Sequence, residues 1–270
     1  MFRYVGSKPA ALAASLALFA GLGFAGRAAA QAPDVEAAVR ASRFVFAGTV
    51  EKTAASNVDL LPASEATIVV RVDAVIDIPA SVSATAGTLV TVELARPGSA
   101  RAGERAIFFA NGRLYSDHLA VRELARRTDD GGYDGLRADV AMVRIKVADE
   151  AFSARLAAAP AVVTGRVVDT RPVLAREETG GGEHEAQWWR ATVAVEEALK
   201  GAPGRSVTVY FAASGDELWL HSPKLTAGET AIFLLQPALS AALPAGAYAV
   251  VSPLDVQPAT QLDRVHRLLR

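Results

Sequence analysis

Ala102-Gly103-Glu104-Arg105-Ala106-Ile107-Phe108 returns as Ala227-Gly228-Glu229-Thr230-Ala231-Ile232-Phe233, with one change in seven positions. A glycine turn followed by a short apolar run is the signature of a buried strand entered through a tight turn. Two more landmarks recur upstream. Val90-Thr91-Val92 matches Val207-Thr208-Val209, and Phe46-Ala47-Gly48-Thr49-Val50 matches Val163-Thr164-Gly165-Arg166-Val167. Their spacings, 117, 117 and 125 residues, are those of a duplicated unit with small loop insertions.

Working outward from the repeat, period-2 alternation predicts strands over Thr67 to Val75 and Arg190 to Leu199. β-branched runs predict further strands over Leu89 to Leu94 and Ser206 to Phe211. A short helix opens each unit. Asp34 caps the first, through Val35 and Val39. Asp149 precedes the second, from Glu150 to Ala159, where Phe152, Leu156 and Ala159 share a face and Pro160 ends it. Leu262, Val265, Leu268 and Leu269 make the apolar stripe of a C-terminal helix. Thr128 to Gly135 and Thr179 to Glu183 read as loops. Five strands and a helix in about 115 residues is the size of a small closed barrel. The expected fold is therefore mainly β, two tandem OB-like barrels with short helices and a C-terminal helix. The units are 31–147 and 148–270.

The N-terminus reads as an address. Arg3 and Lys8 precede an uncharged run from Ala10 to Ala25, and Ala28-Ala29-Ala30 supplies small residues for cleavage. Residues 1–30 are thus expected to be a signal peptide, and the mature chain to be secreted or periplasmic. Removing Arg3, Lys8 and Arg27 takes the formal net charge from −1 to −4, which argues against a nucleic-acid partner. No later apolar stretch is long enough to span a bilayer. The chain has no cysteine, which excludes disulfides, thiolate metal sites and cysteine nucleophiles. Alanine supplies 56 of the 270 residues, so the 51% hydrophobic content overstates the bulky core available.

The order of these motifs is a Gly-x-Val strand, a strand into Leu199-Lys200-Gly201, Val-Thr-Val, then an Ala-Gly-Glu turn before an aromatic-aliphatic strand. It resembles bacterial secreted proteins related to the tissue inhibitors of metalloproteinases and netrin-like modules. The resemblance implies an OB-type barrel. It carries no inhibitory residue, because the inhibitors act through an N-terminal cysteine and the expected mature start here is Gln31-Ala32-Pro33.

Catalytic constellations are sparse. His184-Glu185-Ala186-Gln187-Trp188 lacks the second histidine of a zinc-hydrolase motif, so His184, Glu185 and His221 are only weak metal candidates. Ser116-Asp117-His118 has the residue types of a triad without a nucleophile elbow and reads as a surface turn. Asp129, Asp130 and Asp134 lack the spacing of a calcium loop. Glu104 and Glu229 recur at a glycine turn, which points to a structural hydrogen bond or solvent exposure rather than catalysis. No cofactor and no enzymatic activity are expected.

Aromatics single out the second unit. Alternation puts Trp189 with Val193 on the core face and Trp188 opposite, and read as a strand, Leu218 to His221 places Trp219 and His221 together. Trp188, Trp219 and His221 are therefore the candidate partner-binding patch. The expected function is non-enzymatic binding of another envelope or extracellular protein. The alternatives are a carbohydrate-binding module using the tryptophans and a metal-dependent hydrolase.

Overall fold

The computed structural model describes residues 34–115, 118–173 and 186–270. The expected signal peptide lies outside them. Pro33–Arg270 forms one unit. The first barrel is preceded by α1 (Val35–Ala41) and made of β1 (Phe44–Thr53), β2 (Thr67–Asp77), β3 (Leu89–Glu93), β4 (Arg105–Tyr115) and β5 (His118–Thr128). It closes in the order β1-β2-β3-β5-β4, all pairs antiparallel except β3–β5. After α2 (Tyr133–Ala158) come β6 (Ala161–Pro172), β7 (Trp188–Lys200), β8 (Ser206–Ala212), β9 (Thr230–Pro237) and β10 (Tyr248–Val250). These close as β6-β7-β8-β10-β9, again with one parallel pair, β8–β10. β11 (Val256–Pro258) adds to β9, and α3 (Leu262–Leu268) ends the chain. Two tandem OB-like barrels with a C-terminal helix are thus present.

The duplication extends to irregularities that packing alone would not repeat. β1 is bulged at Val45/Phe46, Ala47/Gly48 and Val50/Lys52, and β6 at Val162/Val163, Thr164/Gly165 and Val167/Asp169, each 117 residues later. Bulges re-aim a strand and sharpen its bend, which a five-stranded barrel needs to close. Gly48 and Gly165 are required at the same bend. A Cβ on Gly48 would lie 2.5 Å from Val70 Cγ1 and 2.8 Å from the Arg71 carbonyl oxygen. On Gly165 it would lie 2.6 Å from the Ala194 carbonyl oxygen and 2.8 Å from Val193 Cγ1. The quoted turn is duplicated too. Gly103 and Gly228 take φ of 80° and 93°, and the carboxylates of Glu104 and Glu229 accept from the N–H groups of Arg101 (3.0 Å) and Thr226 (3.2 Å). Of the two readings of these glutamates, a structural hydrogen bond or solvent exposure, the contacts bear out the first.

Alternation across the repeated Ala-Ile-Phe run sorts the core into layers. Phe108 and Phe233 point into the barrels, with Phe46, Val70, Val92 and Val121 around the first and Val163, Val193, Val209 and Val250 around the second. Ile107 and Ile232 point outward under helices. Ile107 meets Val39 of α1 and Leu136 and Val140 of α2, while Ile232 meets Phe152 and Leu156 of α2 and Val265 of α3.

α2 is where the structure departs most from expectation. The helix expected from Glu150 begins at Tyr133, and the division at 147/148 falls inside it. Asp149 lies inside the helix. Its carboxylate pairs with Arg264 of α3 at 2.7 Å, and that guanidinium lies 4.8 Å from the centre of the Phe152 ring. Val35 and Val39 of α1 stand 117 residues before Phe152 and Leu156, so the last turns of α2 repeat α1. Its first turns cover barrel one as α3 covers barrel two. α2 is the closing helix of one unit fused to the opening helix of the next. At 100° per residue, Leu136 and Phe152 lie about 160° apart around the axis, so opposite faces serve the two barrels. No single apolar stripe runs its length, which is why periodicity marked only half of it.

Other local readings are settled by contacts. Asp129 accepts from the Tyr133 hydroxyl (2.8 Å), the Gly131 N–H (2.9 Å) and Arg105 (3.0 Å). Burial alone would raise its pKa, but these donors hold its carboxyl below the usual value. Asp134 pairs separately with Arg137 at 3.1 Å. Ser116 and Asp117 lie outside the described residues.

Candidate functional site

The two barrels differ at one end, and the difference makes a pocket. In the first, β4 and β5 form a long hairpin with ten paired positions joined across residues 116–117. In the second, the matching ladder stops after Tyr248↔Pro237 and Ala249↔Gln236. Ala238 N–H still donates to the Ala247 carbonyl at 2.8 Å, closing the loop that follows. The chain leaves as the loop 238–247 instead of extending the hairpin. The link from β8 to β9 (213–229) is also longer than its counterpart from β3 to β4 (94–104) and contains the 3-10 helix Glu217–Trp219. These two loops and the start of β7 surround a pocket of about 660 Å³, a volume typical of ligand sites.

Trp188 and Trp219 form one wall, their ring centres 5.7 Å apart at 65°, an edge-to-face pair. Trp188 is fixed by its ladder position opposite Ala212. Trp219 is fixed by its turn, in which the Asp216 carboxylate accepts from Leu218 N–H at 2.9 Å. The Trp219 carbonyl then accepts from the Ser222 hydroxyl (2.7 Å) and from Lys224 Nζ (3.0 Å). Lys224 also donates to the carbonyls of Ser214 (3.1 Å) and Ala212, stapling the turn to the end of β8. Burial lowers the pKa of this ammonium group.

The polar part of the pocket comes from α2 and β9. Arg155 grips the fully buried Asp255 through Nε (2.5 Å) and Nη2 (2.8 Å). Asp255 further accepts the N–H groups of Val251 (2.9 Å) and Ser252 (2.8 Å), so four donors satisfy it. Hydrogen bonding to Asp255, against the opposing effect of burial, raises the Arg155 pKa. Gln236, only 5% exposed, donates its amide N–H to the Arg155 carbonyl at 3.0 Å. That acceptor fixes the amide orientation. Among the described residues the Oε1 of Gln236 and the Nη1 of Arg155 make no hydrogen bond, and both residues line the pocket.

Pro237, Ala241, Ala242, Ala249 and Val251 complete the lining, with Ser240 as a further polar residue. Leu239, also in the lining, is 97% exposed, and Leu218 and Leu220, on either side of Trp219 in the sequence, are exposed as well. Leucines exposed singly are ordinary, but one set in the lining of an aromatic pocket is available to a partner.

The tryptophans singled out by alternation therefore do meet. Trp189 packs on Phe211 at 6.3 Å, against the barrel core, as expected. His221 does not join the lining. The strand expected over Leu218 to His221 is a 3-10 helix and turn, so the alternation placing Trp219 and His221 on one face does not hold, and His221 is exposed. His184 and Glu185 lie outside the described residues, and among the described residues no three histidine or carboxylate groups cluster as metal ligands. Sequence reasoning missed Arg155, Gln236 and Asp255. No local pattern marks the three, which meet only through the packing of α2 against β9 and the Pro253–Asp255 turn. Among the described residues no helix is long and apolar enough to cross a membrane. Neither the known protein-family models nor the curated proteins give a match to this sequence.

Proposed function

We propose that this chain is an exported, non-catalytic binding protein that engages another envelope or extracellular protein through the mouth of its second barrel. One observation carries the reading: a tryptophan-walled pocket with the exposed Leu239 in its lining and the exposed Leu218 and Leu220 flanking Trp219 in the sequence. Large apolar side chains left in water beside a preformed aromatic cavity gain about 1.5–3 kcal/mol each when a partner covers them. Interfaces concentrate their energy in such aromatic pockets. The site also falls where OB-type barrels take ligands, between the loop into strand two and the loop joining strands four and five. Export rests on the N-terminal sequence.

A second reading, carbohydrate binding, is favoured by the tryptophans standing beside uncommitted Gln236 and Arg155 groups. Capture from an envelope fraction by immobilised protein tests the first. Trp188→Ala or Trp219→Ala is expected to abolish recovery of the partner, and equal recovery by wild type and both variants refutes it. Retention on immobilised oligosaccharide, lost in the same variants, would establish the second.

A further inference from the structure

Resting on the reading of this pocket as a contact site, we infer that its occupant is an uncharged, extended peptide segment. The segment inserts an apolar side chain beside Trp188 and offers the adjoining backbone amide to Gln236 and Arg155. Gln236 is nine-tenths buried and lines the pocket, and its carbonyl oxygen has no hydrogen-bond partner among the described residues while staying within reach of solvent, so an incoming donor can take it. Arg155 keeps Nη1 as an uncommitted donor on the same lining. One free acceptor and one free donor complement the N–H and C=O of a peptide unit.

Charge complementarity sets the class further. The guanidinium of Arg155 is answered by Asp255, and among the described residues the remaining lining holds no charged side chain. An incoming carboxylate or ammonium would lose its water and find no countercharge. The exposed Leu239 of the lining suits an apolar, leucine-like side chain.

The three tryptophans make the test direct, because each gives one indole N–H signal and Trp189 serves as an internal control. The ¹⁵N-labelled protein is titrated with acetyl-Gly-Leu-Leu-Gly-amide, with its N-methyl-leucine analogue, with a version carrying aspartate for both glycines, and with cellohexaose. The capped peptide is expected to move the Trp188 and Trp219 signals and leave Trp189 in place. Backbone N-methylation, aspartate, and Gln236→Met are each expected to weaken it about five- to tenfold, the worth of one hydrogen bond. Unchanged tryptophan signals in unliganded Gln236→Met show that the pocket persists.

Equal binding of the N-methylated peptide and by Gln236→Met overturns the inference. So does a response to cellohexaose with none to peptide, which leaves the pocket a contact site for sugar. If no probe moves the signals while partner capture still requires Trp188, the peptide assignment fails alone. If capture is also indifferent to Trp188, the underlying reading fails with it.

Discussion

Alanine at Gly48 asks the first barrel to fit a methyl group where there is no room. The new carbon would stand 2.5 Å from Val70 Cγ1 and 2.8 Å from the Arg71 carbonyl oxygen, well inside the 3.5–4.0 Å of a relaxed carbon contact. Neither obstacle can yield easily: Val70 is fully buried and β-branched, and Arg71 is held in the β1–β2 ladder. Overpacking of this kind costs about 1–3 kcal/mol, and two stiff obstacles put Gly48→Ala near the top of that range. The loss of unfolded-chain entropy returns about 0.4–1 kcal/mol, for a net loss of about 2 kcal/mol. With a urea slope of about 2.5 kcal/mol/M, the midpoint should fall by about 0.8 M. Gly165→Ala is expected to match it. Gly103→Ala, where φ is 80° but space is open, should cost only about 1 kcal/mol.

All three tryptophans belong to the second barrel, so fluorescence follows that barrel while far-UV circular dichroism follows both. Because α2 belongs to the outer core of each barrel, Gly48→Ala should lower the fluorescence midpoint as much as the dichroism midpoint. A Gly48→Ala protein within about 0.5 kcal/mol of wild type, or more stable than Gly103→Ala, would refute the steric argument. A fluorescence transition left in place would refute the coupling.

Asp255→Ala strands the Arg155 charge and two backbone N–H groups, and should cost about 3–5 kcal/mol in urea unfolding; a loss under 1 kcal/mol would mean that water replaces the carboxylate at no penalty. Phe152→Ala removes a fully buried ring shared by α2, α3 and β9, with an expected loss of about 3–5 kcal/mol, and a thermal midpoint equal to wild type would contradict the packing. Asp129, Glu36 and Glu150 all have carboxyl pKa values held below their unfolded values. Their contribution is therefore present above the unfolded values and lost as pH falls through the folded ones, so stability should drop below about pH 4. Asp129→Asn should flatten that fall, and a pH profile identical to wild type would remove Asp129 from the account.

The parts of the fold legible in the sequence were those written in local chemistry. The Ala-Gly-Glu turns combine a positive-φ glycine with a glutamate that closes its own turn, and the Ile-Phe pairs behind them alternate between barrel and helix. α2 was half legible because its apolar residues change faces midway. β5 was hidden by Arg122, Glu123, Arg126 and Arg127, which break the alternation expected of a strand. At the candidate site, the tryptophans announce themselves by type. Arg155 and Gln236 stand 81 residues apart and become neighbours only when α2 lies over β9, a relation no local pattern records.

That shared helix also imposes a phase on the chain. Ordinary linkers tolerate insertions of any length, but one residue added between Val143 and Phe152 would turn the second apolar face of α2 by about 100° from the first. Either barrel would then lose its cover. Seven residues would restore the faces to within about 20° while moving the second barrel about 10 Å along the axis. The spacing between the repeats is thus set by the helical turn, and lengths that differ by two or three residues are closed to it.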